Sequence, residues 1–305
     1  MIQYLTNEQI DRARWDAAVS ASSGPSLYAT SWYLDLVSPD WSGLCASDYS
    51  AVMPLTHRHK NGISYLYQPP FTQQAGVFGK EVSADLVKAF LQAIPRKFRF
   101  AEIMLNETNA LQVQGVEMLT NITLQLGRDI GEIEKGYNEN TRRNIKKAIQ
   151  SRISMHKGFD MDAIITLFKN NKGEAIGQSG AWYSALKTLA YQLRHRGLAA
   201  TYSAVNEQNE IIAGILAVES GSRMILLFSG SGSEAREKGA MHFLVHSILD
   251  DCCNSHQLFD FEGSNQENLA RFYLGFGGHK TTYPFVRINH LPLCMRWLKR
   301  KGISV

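Results

Sequence analysis

One order of elements occurs twice in this chain, and it limits the folds open to it more than any other feature. In the first half the apolar run Ala51–Leu55 leads through a turn at Lys60-Asn61-Gly62 to Ile63-Ser64-Tyr65-Leu66-Tyr67, which alternates as a strand should. A loop over 69–79 precedes Leu86, Ala89, Phe90 and Ala93 at helical spacing, and 100–105 reads as a further strand. In the second half 211–218 and 224–228 flank a turn at Gly221. A loop follows there too, then a helical stripe of Ala240, Phe243, Leu244, Ser247, Ile248 and Cys252, then the alternating run Leu258-Phe259-Asp260-Phe261-Glu262. The repeat implies an α/β (mixed α+β) chain of two related domains, each a mostly antiparallel sheet flanked by helices. We expect them at 1–130 and 131–305, joined near 127–136; 305 residues give each room for its own core.

Between the joint and the second hairpin two helices are expected. Asn140 or Thr141 caps the first, with Ile145, Ala148 and Ile149 inward and Arg142, Arg143, Lys146 and Lys147 facing elsewhere. The second covers about 179–196, with Trp182, Leu186, Leu189, Ala190 and Leu193 as its buried stripe, and Gly197 stops it. The 44% of hydrophobic residues, 20% charged residues and 8 prolines exclude a disordered or fibrous chain. The first residues lack the basic start and apolar stretch of a secretory signal, and no run approaches a membrane span, so a cytoplasmic protein without integral membrane association is expected. Cys45, Cys252, Cys253 and Cys294 show no C-x-x-C pair, which points to reduced, buried thiols. Much of the +4 net charge sits in 142–147 and 296–301, two clusters suited to an anionic partner.

The strongest local signal is a strand, a Gly-rich loop and a helix start: Leu226-Leu227-Phe228-Ser229-Gly230-Ser231-Gly232-Ser233, then 234–239, then the helix from Ala240. Glycines let backbone N–H groups approach an anion, and the free N–H groups at a helix start favour negative charge. His242 and His246 lie one helical turn apart without an HExxH glutamate, and Cys252, Cys253 and His256 lack ligand spacing, so no metal site is expected. No G-x-S-x-G elbow occurs.

The run Asn268-Leu269-Ala270-Arg271-Phe272-Tyr273-Leu274-Gly275-Phe276-Gly277 resembles the GNAT pattern N-x-x-A-x-x-F-Y-x-x-x-F-G. That resemblance implies tandem GNAT-like domains, with an acyl-CoA donor held at the loop before the preceding helix. Residues Gly230, Gly232, Arg236, Gly239 and Ala240 are its candidates, and Met241 departs from the small residue of the usual Q/R-x-x-G-x-G/A. A closer resemblance is to the FemAB-like branch, with two GNAT-like domains in one chain. It is carried by Trp15, Pro69-Pro70-Phe71-Thr72-Gln73-Gln74-Ala75-Gly76, Thr141-Arg142-Arg143-Asn144-Ile145-Lys146-Lys147-Ala148 and Phe259-Asp260-Phe261-Glu262-Gly263-Ser264.

Acyl transfer to an amine needs a proton acceptor, donors for the oxyanion and an acid for the leaving group. The resemblance makes Tyr273 the candidate acid. Asp260 and Glu262, two apart on one expected strand and so on one face, are candidates for binding or deprotonating the acceptor amine. The resemblance implies a diphosphate-binding arginine near Arg142 and Arg143, and Ser264 completes the substrate-binding candidates. The first domain's Pro69, Pro70 and Phe71 stand where a Gly-rich cradle would be needed, leaving the second domain as the donor site. The expected partners are a small-molecule donor and an amine acceptor. Two readings stand beside this one: a FemAB-type aminoacyltransferase using aminoacyl-tRNA and a cell-wall precursor, and a non-catalytic binding protein on the same fold. No long charged helical arm of the kind that holds tRNA is visible, which favours a small donor.

Overall fold

The computed structural model describes residues 1–22, 24, 26–111, 116–173, 177–263 and 265–292. The chain forms two compact units, Met1–Thr120 with Thr281–Val305, and Asn121–Lys280. It passes from one unit to the other at 120–121 and back at 280–281, and the segment 127–136 lies within the second unit. Ser264, Cys294 and the basic cluster at 296–301 lie outside the described residues.

The strands of the first unit are β1 (Ile2–Thr6), β2 (Ser42–Ala46), β3 (Ala51–Leu55), β4 (His57–Lys60), β5 (Ile63–Leu66), β6 (Phe78–Gly79) and β7 (Phe98–Met104), with the strand His279–Asn289 returning to pair with β7. β1, β2, β3 and β6 form one antiparallel sheet in that order. β4 and β5 form the hairpin, its turn at Asn61 and Gly62 with φ of 51° and 76°, and β5 runs parallel to β7. The expected hairpin partner 51–55 thus belongs to another sheet. Every residue of β3 is buried, the mark of a central strand covered on both faces, whereas β4 is polar and mostly exposed. Helix α1 (Arg12–Ser20), capped by Asp11, sinks Trp15 into the core, where its indole N–H donates to the Ala29 carbonyl at 2.8 Å. Helix α2 (Ser31–Val37) follows it. Helix α3 (Ala84–Gln92), capped by Ser83, buries Val87, Phe90 and Leu91; Leu86 and Ala93 of the expected stripe pack against the same core while partly buried.

The second unit contains the later half of β8 (Glu117–Gln125), then β9 (Ser154–Gly158), β10 (Ala199–Val205), β11 (Ile211–Ser220), β12 (Arg223–Ser231) and β13 (Leu258–Asp260). They pair in the order β8-β13-β12-β11-β10-β9, antiparallel except for β12 with β13. Its helices are α4 (Ile130–Glu134), α5 (Glu139–Gln150), α6 (Met161–Phe168) continued by a π-helical turn Lys169–Gly173, α7 (Gly180–His195), α8 (Ser233–Glu237), α9 (Ala240–Cys252) and α10 (Glu267–Leu274). The main core joins α5, α9 and α10 to the sheet through Tyr202, Ile215, Val245, Ile248, Phe259 and Phe276.

Asn138 caps α5, one turn ahead of the expected residues, by accepting from the Thr141 N–H at 2.8 Å. Ile145 and Ala148 face inward as expected, but Ile149 is 58% exposed. Ser179 caps α7, and Gly197 ends it with a φ of 72°. Tyr183 takes the buried place expected of Trp182, which lies at the margin against Phe168. No helix among the described residues is long and apolar enough to cross a membrane.

Two glycines decide where α6 rests. Gly214 on β11 and Gly230 on β12 are direct register partners. A Cβ on Gly214 would lie 2.4 Å from the Ile164 side chain, and one on Gly230 would lie 2.2 Å from the Ile164 carbonyl. Only a bare patch of sheet admits the helix backbone so closely.

Candidate active site

β12 and β13 pair at only three positions, Arg223 with Leu258, Met224 with Phe259 and Ile225 with Asp260. Beyond them the two chains part. The expected strand at 258–262 ends at Asp260 because Glu262 and Gly263 turn into the left-handed region, with φ of 51° and 58°. Between the diverging chains lies a cavity of about 290 Å³, walled on one side by 226–231 of β12 and on the other by Phe261, Glu262 and Gly263. Phe168 and Asn171 from the end of α6 and Tyr273 from α10 complete the wall.

The register of β12 on β11 shifts inside this wall. Phe228 faces Leu216 and Leu226 faces Ala217, so Leu227 is an extra residue with no residue opposite it. Such a bulge leaves main-chain groups outside the ladder and re-aims them. Nothing in the side-chain pattern at 226–228 could have revealed it.

Tyr273 is 5% exposed, stacks on Phe261 at 4.7 Å between centroids, and contributes to the cavity lining. Burial raises its phenol pKa well above the usual value, and the carboxyls of Glu262 and Asp260 push it the same way. The phenol is therefore held protonated at any physiological pH. Burial also lifts the carboxyl of Glu262 to about 8, far above the ordinary carboxylate range.

The strand expected to carry both Asp260 and Glu262 ends at Asp260, so Glu262 lies beyond it in the left-handed turn. Asp260 is 1% exposed and is absent from the cavity wall. Its Oδ2 accepts from Arg223 at 2.6 Å, and its Oδ1 accepts from Asn121 Nδ2 at 2.8 Å and from the Glu262 N–H at 3.1 Å. The Asp260 carboxylate thus holds the main chain at Glu262, which lines the cavity.

Gly230 lies within β12 rather than in a loop, and the approach of α6 accounts for it. Gly232 precedes the short helix α8, which contains Arg236. Gly239, with a φ of 74°, precedes Ala240 at the start of α9, and its Cα faces the Asn144 carbonyl of α5. No side chain caps α9. Of these five glycine-loop candidates only Gly230 lines the cavity. Arg142 and Arg143 line no part of it either: Arg142 donates to the carbonyls of Glu134 and Lys135, and Arg143 donates to Asn140 Oδ1. Asn171, which donates to the Ser231 carbonyl at 2.9 Å, and Phe168, which packs on Phe228 at 4.9 Å, were not singled out from the sequence. The π-helical turn that places Asn171 has no sequence signature of its own.

A splayed parallel pair, a bulge in the wall and a tyrosine from the following helix thus meet at one cavity, lined, Tyr273 apart, by a stretch that matches a known family. Residues 136–269 match the family described as acetyltransferase (GNAT) domain. Across nearly the whole chain the fold is similar to that of FemX, with a TM-score of 0.67 at 12% identity over 92% of this chain and 96% of that one. It is also similar to a tandem GNAT protein from the clavulanic acid biosynthesis pathway (TM-score 0.57, 11% identity, 96% and 99% covered). A third similar fold is that of L-PGS from Bacillus licheniformis (TM-score 0.56, 11% identity, 92% of each chain). No curated protein sequence matches the chain. Residues 136–269 thus carry the match to a GNAT domain, and the fold of the whole chain is similar to those of FemX and of a tandem GNAT protein.

Proposed function

We propose that the second unit transfers an acyl group from an acyl-CoA thioester to an amine, with the reaction centred in the wedge between β12 and residues 261–263. The observation that carries this reading is that a bulged, half-unpaired strand edge and a proton-bearing Tyr273 line one cavity. The open edge of β12 offers main-chain partners to the amides of a pantetheine arm, and the cavity of about 290 Å³ suits the reacting end of the donor rather than the whole molecule. The uncapped start of α9 beyond it suits the donor's phosphates.

Each residue then has a defined task. Glu262, once ionised, takes a proton from the acceptor's ammonium or from the attacking amine. The amine nitrogen bonds to the thioester carbon, and a main-chain N–H freed at the Leu227 bulge stabilises the oxyanion. As the carbon–sulfur bond breaks, Tyr273 gives its proton to the leaving thiolate. Phe168, Leu226 and Phe261 keep the wedge apolar and exclude water. Arg236, Gly239 and Ala240 remain donor-phosphate candidates on position along the chain.

Calorimetric titration with acetyl-CoA and longer acyl-CoAs, followed by mass spectrometry of a panel of primary amines, tests the reading. Binding in the micromolar to millimolar range with an acylated amine as product is expected. No binding at millimolar acyl-CoA would overturn the donor assignment in favour of aminoacyl-tRNA, the donor implied by the FemAB-like resemblance.

A further inference from the structure

A second hollow, of about 390 Å³, opens on the surface of the same unit between α4 and α5. None of the residues lining it lines the wedge. Its floor is the buried ring of Tyr137 and the side chain of Ile145, and its wall is Ile149, which the fold leaves 58% exposed. An isoleucine so exposed beside a hollow is unusual on a helix whose other outward residues are charged or amide-bearing.

The rim is cationic. Arg142 and Lys146 both line the hollow. One terminal nitrogen of Arg142 donates to the Glu134 and Lys135 carbonyls, each at 3.0 Å, at the end of α4. That anchor fixes the guanidinium in place at the hollow's edge before any ligand arrives. The acidic lining residue, Glu134, has its Oε1 3.6 Å from His246 Nε2 of α9. The Nδ1 of the same imidazole lies 3.3 Å from the Tyr137 hydroxyl.

We propose that this hollow is a binding site for a single-chain amphiphilic anion, an alkyl carboxylate whose head meets Arg142 and Lys146 and whose chain lies on Tyr137, Ile145 and Ile149. Charge complementarity at the rim selects the head, and the apolar floor selects the chain. The site is independent of the acyl-transfer reading, since it shares no residue with the wedge.

The test is a calorimetric and NMR titration of the full chain with hexanoate, octanoate and decanoate. Affinity should rise about fourfold for each methylene until the hollow is filled. Decanol and decyltrimethylammonium at equal concentration should bind at least about tenfold more weakly than decanoate, since one lacks the charge and the other reverses it. Lys146→Gln should weaken decanoate, and Ile149→Ser should flatten the chain-length series; both positions are exposed, so neither substitution threatens the fold. The proposal is overturned by a flat series, by decanol binding as well as decanoate, or by an Ile149→Ser variant that binds decanoate unchanged. It is also overturned if phosphatidylglycerol vesicles bind while monomeric decanoate does not, which would make the face a membrane contact.

Discussion

Among the described residues a parallel pair of strands occurs in each unit, and the two pairs end differently. In the second unit β12 and β13 part after three pairs and leave a cavity. In the first unit β5 and β7 pair through Ser64, Tyr65 and Leu66, and the chain that follows fills the space where they would part. Gln68 Oε1 accepts from the Met104 N–H at 3.3 Å, Ala75 N–H donates to the Met104 carbonyl at 2.6 Å, and Gln74 Oε1 accepts from the Glu107 N–H at 2.8 Å. Ala75 also bridges Leu105 in the parallel sense. The main-chain edge that the second unit leaves open is satisfied in the first by the segment 68–77. One supersecondary plan thus occurs with an open wedge or a closed one, and the difference lies in a loop of about ten residues rather than in the sheet.

The comparison would break most visibly at the root of the open wedge. Arg223 and Asp260 form an ion pair at 2.6 Å with side chains 9% and 2% exposed. Arg223→Leu strands a buried carboxylate and should cost about 3–5 kcal/mol, read as a shift in the urea midpoint. An ion pair of the first unit on the other side of β7 from β5, Arg287 with Glu102 at 2.9 Å, is 18% and 35% exposed. Arg287→Leu should cost about 1 kcal/mol or less. Equal costs would show that the open wedge places no special demand on its base.

Next in size is the chemical step. Tyr273→Phe keeps the ring on Phe261 but removes the proton, so kcat should fall about ten- to a thousandfold with donor affinity nearly unchanged. Unchanged kcat would return Tyr273 to the core and leave the thiolate to water. Glu262→Gln should lower kcat/KM about a hundredfold and remove a pH limb. With its folded pKa near 8, the wild-type rate should rise with pH to about 8 and then level, and the raised phenol of Tyr273 gives no fall below pH 10. Stability carries the opposite sign. A carboxyl whose pKa is raised on folding favours the folded state below its unfolded value and loses that advantage as pH rises from 4.5 to about 8. The Gln variant should therefore gain stability over wild type across that window.

Much of this was legible in the sequence, and what was not has identifiable causes. The apolar runs on either side of Gly221 located β11 and β12, which are buried along most of their length, and period-3.6 stripes located α7 and α9. The run 51–55 misled because a strand buried on both faces carries no alternation to say which partner it takes. Gly230 was ambiguous in kind: a glycine that admits a helix backbone and one that admits a phosphate are the same residue. The pairing of Asp260 with Glu262 assumed an extended backbone, and glutamate gives no warning of a left-handed φ. Tyr273 and Glu262, singled out from the resemblance and the chemistry together, line the cavity, while the Leu227 bulge and the Asn171 contact are properties of register and of a π-helical turn that no residue type announces.

The smallest effects are expected where the wedge is closed. Gln74 is fully buried, and Gln74→Ala removes the acceptor of the Glu107 N–H. The cost should be about 1 kcal/mol, the net contribution of one part-buried hydrogen bond. Gln68→Ala removes a longer contact, 3.3 Å to the Met104 N–H, and should cost about 0.5–1.5 kcal/mol. Neither should alter acyl-CoA affinity or kcat, because the first unit's strand edge is occupied by its own chain. Thermal melts beside acyl-CoA titrations of both variants separate the outcomes. If loosening this segment creates new acyl-CoA binding, the loop is a removable plug over a latent second site and the two units differ only in occupancy. If it abolishes acyl transfer without unfolding the chain, the segment 68–77 belongs to the acceptor's path and the closed wedge is not mere scaffold.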